Sequence, residues 1–178
     1  MPNWCFGMVS VSGKPEKVKE FCKLFVFADE ANKDNSKQGK YFAKSFVQQD
    51  WASFVKDYDL GDTTGVDFSV DFAWSAWSCL IEGYPQRNKR HCITLKSACK
   101  KYGVKVEIKT EEPSLGFEEI IVADKVDVFY DSKKMPLFEC VCGATQYVSS
   151  DTDLKDIECW DCEKCGVGKI KDEKEVTL

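Results

Sequence analysis

The chain has a single histidine in 178 residues, His91, and no apolar run approaching the roughly 20 residues that a membrane-spanning helix needs. The scarcity of histidine restricts nucleophilic chemistry, because a Ser-His-Asp or Cys-His site would have to be assembled around His91. That residue follows Asn88, Lys89 and Arg90 and reads as a surface or capping group. The sequence also lacks a G-x-S-x-G elbow, a G-x-G-x-x-G turn and a P-loop. Its nearest approach to a phosphate-cradling loop, Gly166-Val167-Gly168, has no third glycine. The paired acids Glu111-Glu112 and Glu118-Glu119 have lysines close by and read as solvated faces. The expectation is therefore that the chain is not an enzyme. No export signal opens it: Met1-Pro2-Asn3-Trp4-Cys5 has neither a basic start nor an apolar stretch, which implies a cytoplasmic protein without a membrane partner. An excess of basic residues is missing too. The 25 Lys and Arg oppose 30 Asp and Glu, for a net charge of −5, which argues against a general nucleic-acid binder.

Apolar residues and cysteines are plentiful. With 43% hydrophobic and 13% aromatic residues the chain can bury a core. Its ten cysteines, in a chain without an export signal, imply reduced thiols engaged in burial or in metal binding rather than disulfides. Five of them are scattered: Cys5, Cys22, Cys79, Cys92 and Cys99. The other five lie in Cys140-Val141-Cys142-Gly143 and in Cys159-Trp160-Asp161-Cys162-Glu163-Lys164-Cys165-Gly166. Zinc favours four thiolates in a tetrahedron, delivered as two short pairs from two turns, and a glycine after each pair lets the backbone turn tightly. Ala144 to Ser150 alternates and is β-prone, with a turn candidate at Asp151-Thr152-Asp153. The expectation is a zinc ribbon over 135–178, with Cys140, Cys142, Cys162 and Cys165 as ligands. In an alternative set Cys159 replaces Cys165. An all-cysteine site is closed, so the zinc is expected to be structural. Redox use of the Cys159-to-Cys162 pair is disfavoured because it does not follow a strand of a thioredoxin-like unit. The charge follows the same boundary: residues 151–178 hold nine acids and five lysines, whereas the remainder is nearly neutral.

Residues 1–134 read as mixed α and β. A strand over Phe6 to Ser12 ends at Gly13, and Pro15 opens a helix whose apolar stripe is Val18, Phe21, Cys22 and Phe25. Residues 30–40 are polar and read as a loop or insertion. Tyr41 to Val47 and Trp51 to Tyr58 are ambiguous between helix and strand. After a turn at Asp62-Thr63-Thr64-Gly65, the residues Val66, Phe68, Val70, Phe72 and Trp74 alternate as the inner face of a strand. Trp74 is thereby expected in the core, and Trp77 as a candidate contact aromatic. A second helix carries Cys92, Leu95, Cys99 and Tyr102 and stops at Gly103. Strands follow over Val104 to Lys109, Phe117 to Val122 and Val126 to Tyr130. This order suits an α+β fold: a ferredoxin-like antiparallel sheet with two helices on one face, plus the small C-terminal ribbon.

Three blocks carry a resemblance to a known family. Met1-Pro2-Asn3-Trp4-Cys5 followed by Val9 to Gly13, then Asp71-Phe72-Ala73-Trp74-Ser75, then Glu112-Pro113-Ser114-Leu115-Gly116-Phe117, together resemble the YubB-type ferredoxin-like family carried by phages and plasmids. The similarity spans roughly residues 1–130. It departs at Ala76-Trp77, where the family often has prolines, and at Ser114, which stands for a loop glycine. What the resemblance implies is a fold and a setting, a mobile genetic element inside a bacterium, and no chemistry. The expected function is that of a non-enzymatic module that binds a host protein, with inhibition of a host defence nuclease through an acidic surface as the foremost case. Single-stranded nucleic-acid binding by the sheet and ribbon is the alternative. Its sequence support is the cluster Arg87-Asn88-Lys89-Arg90, with Lys100-Lys101 on the following helix.

Overall fold

A computed structural model describes residues 3–26, 45–47, 51–58, 61–80, 94–153, 155, 157 and 168–171. The chain is α+β and divides into two units: Met1–Thr110 with Glu119–Asp131, and Glu111–Glu118 with Ser132–Leu178. The second unit thus takes in more chain than residues 135–178.

In the first unit, alternation sets the faces. Strand β1, Trp4–Ser12, buries Cys5, Val9 and Val11 and exposes Phe6 and Met8 between them. Helix α1, Pro15–Phe21, begins with proline in its first turn, where the missing N–H leaves no bond unmade. It continues as a π-helical turn, Cys22–Val26. Val18, Phe21 and Cys22 are buried along it, as their spacing predicts; the side chain of Phe25 and the whole of 30–40 lie outside the described residues.

The two ambiguous segments resolve differently. The first contains the short strand β2, Ser45–Val47, and the second forms helix α2, Trp51–Asp57. Phe54 anchors that helix: it is buried between exposed neighbours, and its ring meets Phe68 edge-on at 5.9 Å. Strand β3, Gly65–Ala73, pairs antiparallel with β1 along its whole length, from Trp4↔Ala73 to Ser12↔Gly65, and with β2 from Ser45↔Phe72 to Val47↔Val70.

Helix α3, Ala76–Leu80, follows, and then α4, Leu95–Tyr102. The Thr94 hydroxyl caps α4 by accepting from the Ser97 amide at 3.3 Å, and Gly103 closes it in the left-handed region. Leu95, Ala98, Cys99 and Tyr102 are buried, and the Tyr102 ring meets Phe21 of α1 edge-on at 5.8 Å. Cys92 and His91 lie outside the described residues.

Strands β4, Lys105–Glu112, β5, Phe117–Ala123, and β6, Val128–Lys134, complete a six-stranded sheet in the order β2-β3-β1-β4-β5-β6. The connections 113–116 and 124–127 are too short for a crossover, so β4, β5 and β6 run as antiparallel neighbours. In the second connection the Asp124 carboxylate accepts from the Val126 and Asp127 amides at 2.6 and 2.9 Å. The last strand begins two residues later than its apolar run suggested and extends to Lys134.

The second unit adds a sheet of its own. Strands β7, Leu137–Cys140, β8, Thr145–Tyr147, and β9, Gly168–Lys171, are ordered β8-β7-β9, and both pairings are antiparallel. Phe138, Cys140, Val148 and Ile157 form its core, with Ala144 packed against them.

Candidate functional site

The thiol pair Cys140 and Cys142 occupies the turn between β7 and β8. The turn is closed by backbone bonds from Cys140 N to Ala144 O at 2.8 Å and from Gly143 N to Cys140 O at 2.9 Å. Gly143 has φ +90°, a conformation that a side chain would strain, so the glycine after the pair serves as its position suggested. Cys140 is buried at the end of β7 and Cys142 is exposed. Strand β9 returns along the other edge of β7, with Gly168 opposite Cys140. A Cβ at Gly168 would run into the Glu139 carbonyl and the Phe138 ring, so only glycine lets β9 lie this close. Two thiols on one tight turn suit a soft metal such as zinc, as half of a tetrahedral set. Cys162, Cys165 and the alternative ligand Cys159 lie outside the described residues. Among the described residues, no group of three His, Cys, Asp or Glu side chains is arranged to hold a metal ion.

Three glutamates correct the reading of the acid pairs as solvated faces: Glu112, Glu118 and Glu119 are all buried. Glu119, 2% exposed on β5, gathers donors from four other elements. Its Oε2 accepts from the Ala76 amide at 2.8 Å and the Thr110 hydroxyl at 3.2 Å, with the Cys5 thiol at 3.8 Å; its Oε1 accepts from the Tyr130 hydroxyl at 3.2 Å. Glu118 points the other way and holds the loop after β8. It accepts from the amide and hydroxyl of Ser150 at 2.6 and 2.7 Å and pairs with Lys133 at 3.2 Å. Burial opposes its ionisation, but the Ser150 bonds and the Lys133 ammonium outweigh it and hold the carboxyl below its ordinary range. Glu112, at the end of β4, accepts from the Leu115 amide across the turn, while its Oε1 is buried with no hydrogen-bond partner among the described residues.

No protein-family model, curated protein or solved structure matches the chain.

Trp74 is the second correction. The strand ends one residue earlier than the alternation implied, and Trp74 takes φ +76°, among described residues the one non-glycine in the left-handed region. That reversal turns the indole out of the core, leaving it 48% exposed. Its amide donates to Asn3 O at 2.8 Å. Trp77, on α3, is half-buried and stacks on Tyr130, with ring centroids 4.2 Å apart and planes tilted by 33°. The Tyr130 contact could not be read from the sequence, because it joins residues 53 positions apart.

The scattered thiols are structural where described. Burial pushes Cys22 up to about 12, and burial with the nearby Asp124 charge does the same for Cys99, so neither supplies a thiolate at neutral pH. The basic cluster Arg87-Asn88-Lys89-Arg90 lies outside the described residues, while Lys100 and Lys101 are exposed in the last turn of α4. Among the described residues, no helix is long and apolar enough to cross a membrane.

Proposed function

We propose that the chain is a non-enzymatic binding protein of a mobile genetic element, phage or plasmid, which works in the cytoplasm by docking on a host protein, with a host defence nuclease as the target class. In this reading the body is ferredoxin-like and the C-terminal unit is a zinc ribbon. The body is supported by the strand order β2-β3-β1-β4, with α1 between β1 and β2 and α4 between β3 and β4. The mobile-element setting rests on the resemblance to the YubB-type family.

The observation that carries the ribbon is the pairing of Gly168 with Cys140. Cys165 stands three residues before Gly168, and three residues of chain reach no further than about 11 Å. Chain connectivity thereby keeps Cys165 within reach of the Cys140 turn, as it does Cys159, two residues after Ile157 of the same core, so the choice of Cys140, Cys142, Cys162 and Cys165 as the zinc ligands rests on the glycine that follows Cys142 and Cys165. Four thiolates and a divalent ion leave about −2 of charge at such a site. Added to an acidic tail, this gives a surface complementary to a basic nucleic-acid channel. Capture from host lysate followed by mass spectrometry tests the reading. It should return a nuclease whose cleavage the purified protein inhibits; tight binding of oligonucleotides with no protein partner would overturn it.

A second reading, single-stranded nucleic-acid binding, is favoured by one observation. Tyr130 reaches Glu119 on the face that carries Cys5, so the alternating neighbours Phe129 and Phe6 lie on the opposite face, and both are well exposed. Such aromatics can stack bases. A gel shift whose affinity falls steeply between low and moderate salt would support it.

A further inference from the structure

Gly168 is a glycine that neither a turn nor burial requires. It opens strand β9, is exposed, and its φ lies outside the left-handed region that Gly103, Gly116 and Gly143 occupy. In a strand, glycine loses more chain entropy than other residues and packs no side chain, so it weakens its own pairing unless another group needs the room. Here that group is β7. A Cβ at Gly168 would overlap the Glu139 carbonyl oxygen and the Phe138 ring. Neither has room to yield: Glu139 is backbone paired on both sides, to Thr145 and Lys169, and Phe138 is buried in the core of the second unit.

The close approach falls at a particular place. Strands β7 and β9 pair from Leu137↔Lys171 to Cys140↔Gly168, so the contact that needs glycine is at the end of the ladder that meets the thiol turn. Two glycines thus serve Cys140 for different reasons. Gly143 lets the chain reverse after Cys142, and Gly168 lets a strand from 28 positions away close on Cys140. The thiol turn is held by its own backbone bonds, Cys140 N to Ala144 O and Gly143 N to Cys140 O, in which β9 has no part. Cys165 stands differently: its nearest described neighbour in the chain is Gly168, three residues on. Closing a loop of this length opposes the meeting of the two thiol pairs, and the seated strand offsets that entropy and makes the meeting a local event.

We propose that Gly168 is a positioning residue of the metal site. By letting β9 seat against Cys140 it brings the Cys162 and Cys165 pair to the Cys140–Cys142 turn, so that the site has two halves and only the second depends on it. This rests on the zinc-ribbon reading above and adds to it the residue that closes the site.

Cobalt(II) tests the proposal, because it takes the same thiolates as zinc and its sulfur-to-metal absorption grows with each thiolate bound. The full-length protein is titrated with Co(II) alongside Gly168→Ala and Ile170→Ala. The second variant alters β9 at a side chain that is 38% exposed and leaves the approach to Glu139 untouched. Wild type and I170A should show the absorption of four thiolates. G168A should bind about 10–100-fold more weakly. At the cobalt concentration that just saturates wild type, it should show about half the absorption, from the first pair alone. Equal curves for G168A and wild type would overturn the inference. So would an equal loss in G168A and I170A, which would make the effect one of strand stability. G168A without any thiolate absorption would also overturn it, since the Cys140–Cys142 turn would then need the same residue. In each of these cases four-thiolate absorption by wild type leaves the ribbon reading standing. If wild type takes up no cobalt, both fall.

Discussion

The core of the first unit draws on strands and helices far apart in the chain, with Phe21, Phe54, Phe72, Leu95 and Ile108 fully enclosed. The described core of the second unit is Phe138, Cys140, Val148 and Ile157, on short strands. Burying one large apolar side chain stabilises by about 1.5–3 kcal/mol, and ordering the chain costs about 1–2 kcal/mol per residue in the backbone alone. The first unit can meet that cost with apolar burial. A cluster as small as the second's ordinarily needs a staple, and the thiol-bearing turn is where a metal would supply one. Polar side chains divide in the same way: Glu119 joins strands inside the first unit, whereas Glu118 and Glu112 each hold a turn or loop of the second.

The largest expected effect tests this contrast directly. Structural zinc in small domains is worth about 10–16 kcal/mol, so the purified chain should contain one zinc, and strong chelation should abolish amide-exchange protection at Phe138 and Ile170 while Val9 and Ile108 keep theirs. Unchanged protection in β7 and β9 after metal removal would erase the distinction between the two units.

Truncation of core aromatics comes next. Phe72→Ala should cost about 3–5 kcal/mol in denaturant unfolding of the first unit, and Phe138→Ala should act on the second unit alone. A shared loss in both would mean that they unfold as one.

Glu119→Gln should cost less, about 1–3 kcal/mol, because an amide cannot accept from all the donors that the carboxylate satisfies. The loss should appear in the first unit's transition, with faster exchange of the Ala76 amide. Exchange at Ala76 as slow as in the wild type would remove Glu119 from that role.

The smallest effect is that of pH on the second unit. The Glu118 carboxyl lies lower in the folded chain than in the unfolded one, so its contribution is fully present above the unfolded value of about 4.3 and is lost as pH falls through the lower folded value. Stability of the second unit should be flat in this respect from pH 7 to about 5 and then decline, and Glu118→Gln should flatten the acid limb. An acid limb that E118Q leaves unchanged would assign it to other carboxyls.

Much of the first unit was legible in the chain. A β-prone run anticipated β1 and period-two alternation β3 and β4; the Val18–Phe21–Cys22 stripe and the Leu95–Cys99–Tyr102 stripe anticipated α1 and α4; Gly13 and Gly103 stopped their elements as read. These signals are local: a face must be buried whatever it packs against. The thiol turn was legible for the same reason, since Cys-x-Cys-Gly specifies its own backbone. Trp74 was misread because alternation assumes an unbroken strand, and one left-handed residue reverses the side-chain direction.

The amino-acid order alone carried the periodicities, the stops, the acidic and cysteine-rich end, and the glycine that lets the Cys140–Cys142 turn close. Tertiary structure alone decided the fate of the acid pairs. A carboxylate is buried only where donors converge on it, and those of Glu119 come from Cys5, Ala76, Thr110 and Tyr130, residues up to 114 positions away. No window of sequence contains that convergence. The same long-range bonds hold the turn that exposes Trp74, which follows from packing, whereas the Cys140–Cys142 turn follows from spacing.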